Sequence, residues 1–111
     1  MKRYCLALDL KDEERSIEAY EEYHKAIWPE VKISILDAGI LDMEIYRAGN
    51  RLFMVMECSD DFDFGKKAAA DVANPVVVKW EKLMSEYQQP IPVAGEGEKW
   101  VLMNRIFKLV E

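Results

Sequence analysis

The feature that most narrows the fold is the order in which hydrophobic spacing changes along the chain. Residues 3 to 10 alternate, with Tyr4, Leu6, Leu8 and Leu10 on one side and Cys5, Ala7 and Asp9 on the other. That period of two marks a half-buried strand. Asp12-Glu13-Glu14 then offers a helix start, with Asp12 suited to the N-cap and all three acids favourable toward the dipole. Ile17, Tyr20, His24 and Ile27 follow at helical spacing and share one face. Pro29 cannot continue that helix but suits the first turn of another. Val31, Ile35 and Ala38 point inward from this second piece before Gly39 closes it.

The second half repeats the change of period. Leu41, Met43 and Ile45 alternate with Asp42, Glu44 and Tyr46, and Ala48-Gly49-Asn50 makes a hairpin turn. Leu52 to Cys58 is a nearly continuous apolar run, as expected of a strand in the sheet interior. Residues 62 to 73 read as helix, interrupted at Asn74-Pro75 because a proline biases its predecessor away from helix. Val76, Trp80, Leu83, Met84 and Tyr87 mark an amphipathic helix beyond it. Gln88 to Pro92 and Gly95 to Glu98 read as irregular connectors, and Trp100 to Leu109 as a closing strand.

Strand, helix, strand, strand, helix, strand is the split βαβ order of a ferredoxin-like α+β fold, an antiparallel sheet with helices on one face. A chain of 111 residues is expected to form one such domain over residues 1–111. The strands also carry Phe53, Val55, Trp100, Leu102 and Phe107, so the uncovered face is expected to be hidden in a homodimer, sheet against sheet, as a dimeric α/β barrel.

Composition then narrows the function. The formal net charge is -6 with both signs spread along the chain, which argues against nucleic acid and anionic membrane surfaces. No long apolar run of signal-peptide or transmembrane type is present, and the expected location is the cytoplasm. Cys5 and Cys58 are far apart, belong to no Cys-x-x-Cys pair, and read as buried reduced thiols. No phosphate loop, nucleophile elbow or metal-spaced cluster occurs, so neither cofactor nor metal is expected.

What remains is a single histidine among aromatics. Tyr20 and His24 lie side by side on a helix, Trp28 follows, and Trp80 stands on a segment that covers the same sheet. His24 has two readings: a half-buried helix residue without a role, or an imidazole able to give and take a proton near neutrality. Trp80, by spacing alone, is a core residue. Tyr46 and Trp100 read as sheet residues, Glu44 and Glu57 as solvated or paired strand carboxylates. Met43, Met54, Met56 and Met103 read as core or interface fillers.

Tyr20-x-x-x-His24-x-x-Ile27-Trp28-Pro29-Glu30, Ile45-Tyr46 followed by Leu52-Phe53, and Trp80-x-x-Leu83-Met84 together resemble the L-rhamnose mutarotase family. The likeness runs over most of the chain. It implies a small dimeric ferredoxin-like isomerase that interconverts sugar anomers without a cofactor. His24 is implied as proton donor, and Tyr20 and Trp80 as sugar contacts. Two positions depart from the family's rhamnose enzymes: Met43 replaces a substrate tyrosine, and Glu81 replaces a second tryptophan. The chain is also similar to a branch associated with L-fucose, so a 6-deoxy-hexose of the L series is the expected substrate. A dimeric ferredoxin-like monooxygenase and a non-catalytic ligand-binding dimer share the fold and are the alternatives.

Overall fold

The computed structural model describes residues 1–110; Glu111, the last residue of the expected domain, lies outside the described residues. The chain begins with strand β1 (Lys2–Leu10), then helices α1 (Glu14–Lys25) and α2 (Pro29–Asp37), then the hairpin β2 (Ile40–Ala48) and β3 (Arg51–Cys58). Helices α3 (Phe64–Ala73) and α4 (Pro75–Ser85) follow, and two short strands, β4 (Gln88–Gln89) and β5 (Val101–Leu102), complete the order. The sheet runs β2-β3-β1-β4 with β5 also on β1, and every pairing is antiparallel. This is the expected ferredoxin-like arrangement.

The register explains the core. β1 pairs with β3 from Lys2↔Cys58 to Asp9↔Arg51, which sets Leu6 and Leu8 of β1 beside Met54 and Leu52 of β3. These alternate residues are buried, and α1, α2 and α4 supply the opposing layer through Tyr20, Val31, Val77, Trp80 and Met84. The opposite parity puts Cys5, Ala7, Phe53, Val55 and Tyr46 on the face that no helix covers. On that face Asp9 is 6% exposed; Arg51, directly across the ladder, donates to both of its carboxylate oxygens at 2.8 and 3.1 Å. Cys58 is buried as expected and Cys5 is half-buried, and both are free thiols.

Several local expectations are corrected. α1 begins one turn-position later than Asp12 implied: Glu13 occupies the N-cap without a side-chain cap bond, and its Oε2 accepts instead from Ser16 Oγ at 3.1 Å. α1 also ends at Lys25, so Ile27 packs from the link into α2 and not from the helix itself. α3 starts at Phe64, where Asp63 caps Gly65 N at 2.8 Å. In α4 the expected stripe packs inward, Val76 included, and Val77 joins it as a buried residue; Asn74 caps the helix, accepting from the Val76 and Val77 amides.

The largest correction concerns the last strand. Gln88–Gln89, expected as connector, supplies the fourth strand by pairing with Asp9 and Leu10. The expected strand from Trp100 to Leu109 is reduced to Val101–Leu102, followed by a Met103 N to Cys5 O bond of 2.8 Å. Two short strands thus share one edge of β1. Beyond them Ile106, Phe107, Leu109 and Val110 are exposed, since one sheet of this size has no further layer for them to cover.

Gly39 turns the chain from α2 into β2 at φ +93, a region that costs a side chain strain. A Cβ there would also stand 2.7 Å from Ser59 Oγ, beside the 2.8 Å bond that Ser59 N donates to Gly39 O. Gly39→Ala is therefore expected to lower stability by about 1–3 kcal/mol, read as a shifted midpoint in urea unfolding with unchanged slope.

Candidate active site

Helix spacing and sheet register bring the aromatic residues to one place. Tyr20 and His24 stand one turn apart on the inner side of α1, and their rings stack at 4.2 Å with planes 28° apart. Trp80, from the inner stripe of α4, meets His24 edge-to-face at 5.6 Å. Trp28, at the head of α2, meets Trp80 the same way at 5.1 Å. These offset and T-shaped geometries are those that ring quadrupoles favour. The four rings hold one another's rotamers while leaving one side of His24 open.

That side faces a cavity of about 330 Å³ between the helices and the sheet, at the lower end of the volume usual for small-molecule sites, ~300–1,000 Å³. His24, Tyr20 and Trp80 all line it, together with Glu81 and Gln88. Its floor is Met43 of β2 and Met54 and Met56 of β3, whose flexible thioethers make an adaptable apolar surface. Trp100 closes one side, and Ser34 and Lys67 add polar groups. A few polar side chains on a largely apolar wall suit a small neutral polyol with an apolar edge.

The hydrogen bonds and burial set the protonation states. His24 Nδ1 lies 2.8 Å from the carbonyl oxygen of Tyr20. Burial lowers the imidazole from its usual value, and that backbone bond opposes the shift. Burial raises the Tyr20 phenol to about 12; the neighbouring Gln88 amide pulls the other way and the Glu81 charge adds to the rise. Glu81 stays solvent-accessible at the cavity rim but is crowded by protein, and this desolvation raises its carboxyl, with Lys99 and Lys67 opposing and Asp71 adding. Among the described residues Gln88 Oε1 is buried without a hydrogen-bond partner, while its side chain also contacts the Tyr20 phenol.

His24, Tyr20 and Trp80, singled out from sequence, thus lie together, and Trp80 is both core and cavity wall. Trp100 was expected in a strand and Met43, Met54 and Met56 as fillers; all four line the cavity. Glu81 and Gln88 carried no assignment. Glu81 had one signal, a carboxylate next to the tryptophan, whereas Gln88 had none, because nothing local marks residues 88–89 as a strand. Glu44 and Glu57 do face partners elsewhere, Tyr46 at 2.9 Å and Arg3 at 3.1 Å. Among the described residues no group of three metal-ligating side chains converges, and no helix is long and apolar enough to cross a membrane.

The L-rhamnose mutarotase family matches residues 3–109. An L-fucose mutarotase of Xanthomonas campestris pv. campestris is 43% identical, over 100% of this chain and 90% of that protein. The crystal structure of an L-rhamnose mutarotase from Formosa agariphila superposes with a TM-score of 0.72 at 23% identity, covering 99% of this chain and 100% of that one. A tetracenomycin F2 cyclase from Streptomyces glaucescens, at TM-score 0.61 and 16% identity over 100% and 99% of the two chains, shares the fold alone.

The neutral imidazole is the state this site favours. The His24 titration followed by NMR is expected below the free value of about 6.5. A histidine with a lowered folded value binds fewer protons than the unfolded chain, so its contribution to stability is complete above about pH 6.5 and is lost as pH falls toward the folded value. His24→Gln is expected to flatten that acid slope in unfolding experiments.

Proposed function

The chain belongs to the L-rhamnose mutarotase family, and from that premise we propose that it interconverts the α and β anomers of a 6-deoxy-L-hexose, L-fucose or L-rhamnose. The observation that carries this is the stacked Tyr20–His24 pair opening, beside Trp80, onto a cavity of monosaccharide size. The 43% identity to an L-fucose mutarotase favours L-fucose of the two. Met43 and Glu81 agree with that preference, since they stand where the rhamnose branch has aromatic residues.

Mutarotation needs one proton removed from the anomeric hydroxyl and one delivered to the ring oxygen; the ring opens, the aldehyde turns, and closure produces either anomer. Positioned acid–base groups contribute about a hundred- to ten-thousand-fold, enough for a reaction that already proceeds in water. His24 is the proton-transfer residue. Tyr20, whose phenol stays protonated, binds a sugar hydroxyl, and Trp80 packs its ring against C–H groups and the deoxy methyl. No cofactor enters this chemistry.

Exchange between anomers, followed by NMR saturation transfer, is expected to accelerate with L-fucose and to a lesser degree with L-rhamnose. His24→Ala is expected to lose most of the acceleration, about a hundredfold or more. Equal exchange by wild type and His24→Ala would remove the role of His24; no acceleration by wild type would remove the function.

We further propose a cytoplasmic homodimer of the 1–111 domain. The helix-free face carries Phe53, Val55 and Tyr46, and the segment after β5 carries Ile106, Phe107 and Leu109 with nothing to cover. A second copy offers both a matching face and an edge for that segment. Sedimentation analysis is expected to give twice the chain mass, and removal of residues 104–111 is expected to weaken the dimer by at least about tenfold in dissociation constant, roughly 1.4 kcal/mol.

A further inference from the structure

We propose that Glu81 is the second catalytic group of this site, the acid that protonates the ring oxygen, and that His24 takes the anomeric proton through Nε2 as the base. This deepens the mutarotase reading and rests on it. The first observation is the 2.8 Å contact between His24 Nδ1 and the Tyr20 carbonyl. A carbonyl oxygen only accepts, so Nδ1 carries the hydrogen. In the neutral ring Nε2 is then a bare lone pair, able to take a proton and with none to give.

A partner that begins protonated is therefore required. Among the described residues, Glu81 is the only carboxylate that lines the cavity shared with His24, Tyr20 and Trp80. Protein crowding moves the Glu81 carboxyl up from its usual value, while burial moves the His24 imidazole down. Each shift is in the direction the reaction needs. Gln88 Oε1, buried and without a partner among the described residues, supplies an acceptor that orients a further sugar hydroxyl.

The step balances. Nε2 removes the proton from the anomeric O–H, the C1–O1 bond becomes a carbonyl, the bond from C1 to the ring oxygen breaks, and that oxygen receives the proton of Glu81. This leaves imidazolium, carboxylate and the open aldehyde. After the aldehyde turns, the Glu81 carboxylate recovers the proton from the ring hydroxyl as its oxygen attacks C1, and imidazolium returns one to O1. His24 is thus a donor in ring closure and a base in ring opening, and neither residue ends altered.

The charged and titratable groups around Glu81 are Tyr20 and His24 from α1, Lys67 and Asp71 from α3, and Lys99 from the segment before β5. Around His24, Glu21 and Lys25 lie on its own helix, Lys32 comes from α2, and Asp42, Tyr46 and Arg47 come from β2, with Arg47 ion-paired to Glu21. Asp71 is held by Lys67 at 2.5 Å, and Tyr20 titrates only near about 12. His24 and Glu81 are the two groups whose protonation the proposed step changes, so the pH dependence of activity is expected to carry both.

The experiment is anomer exchange of L-fucose by wild type and Glu81→Gln across this pH range, with the uncatalysed rate subtracted. Glu81→Gln is expected to lower catalysed exchange at least about tenfold. Its residual rate is expected to rise with pH through the His24 titration, because the neutral imidazole is the working form. A residual rate that falls with rising pH makes His24 the opening donor and overturns the assignment. A wild-type rate and profile in the variant overturn it as well, while wild-type exchange leaves the mutarotase function standing. No exchange by wild type removes that function and this assignment together. Independently of activity, the ¹⁵N shifts of neutral His24 are expected to show a protonated Nδ1 and a bare Nε2; the opposite tautomer overturns the proposal.

Discussion

Everything in this molecule hangs on the antiparallel ladder between β1 and β3. Its register, from Lys2↔Cys58 to Asp9↔Arg51, decides which residues face the helices and which face away. A slip of one residue would exchange the two sets along the whole strand. The hairpin from β2 and the Asp9–Arg51 ion pair secure that register at the turn end of the ladder. Leu8 and Leu10 are then almost wholly removed from solvent, and burial of such side chains contributes about 1.5–3 kcal/mol each.

On that platform the helices act as holders of rings. Tyr20 and His24 come from α1, Trp28 from the head of α2 and Trp80 from α4, so three helices must dock correctly before the cavity has walls. The same contacts that stabilise the core also limit the motion of the imidazole. Tyr20 illustrates the coupling: its ring is core, its backbone carbonyl fixes the His24 tautomer, and its phenol lines the cavity. Core packing and cavity lining are not separable there, and a tryptophan that reads as core by spacing can equally be a cavity wall.

The fold leaves the chemistry open. A polyketide cyclase has the same architecture, so strand order and helix placement do not select an anomer-exchange reaction over a cyclisation. Selection lies in a few side chains directed into the space between sheet and helices. The helix-free face and the apolar segment after β5 leave apolar side chains exposed, and Ile106, Phe107 and Leu109 take no part in the cavity.

The sequence by itself determined the order of elements through α4, the position of the hairpin turn, the break at Asn74-Pro75 and the pairing of Tyr20 with His24, because these follow from periods and turn chemistry within a few residues. Tertiary structure alone decided that Gln88–Gln89 is the fourth strand and that Val101–Leu102 shares its edge, since a two-residue strand has no period and exists only through its partner. It also decided the company His24 keeps. Glu81, Gln88, Trp100 and the methionines of β2 and β3 reach one cavity from five segments of chain, and closeness across such separations is set by docking and register, which no local pattern encodes.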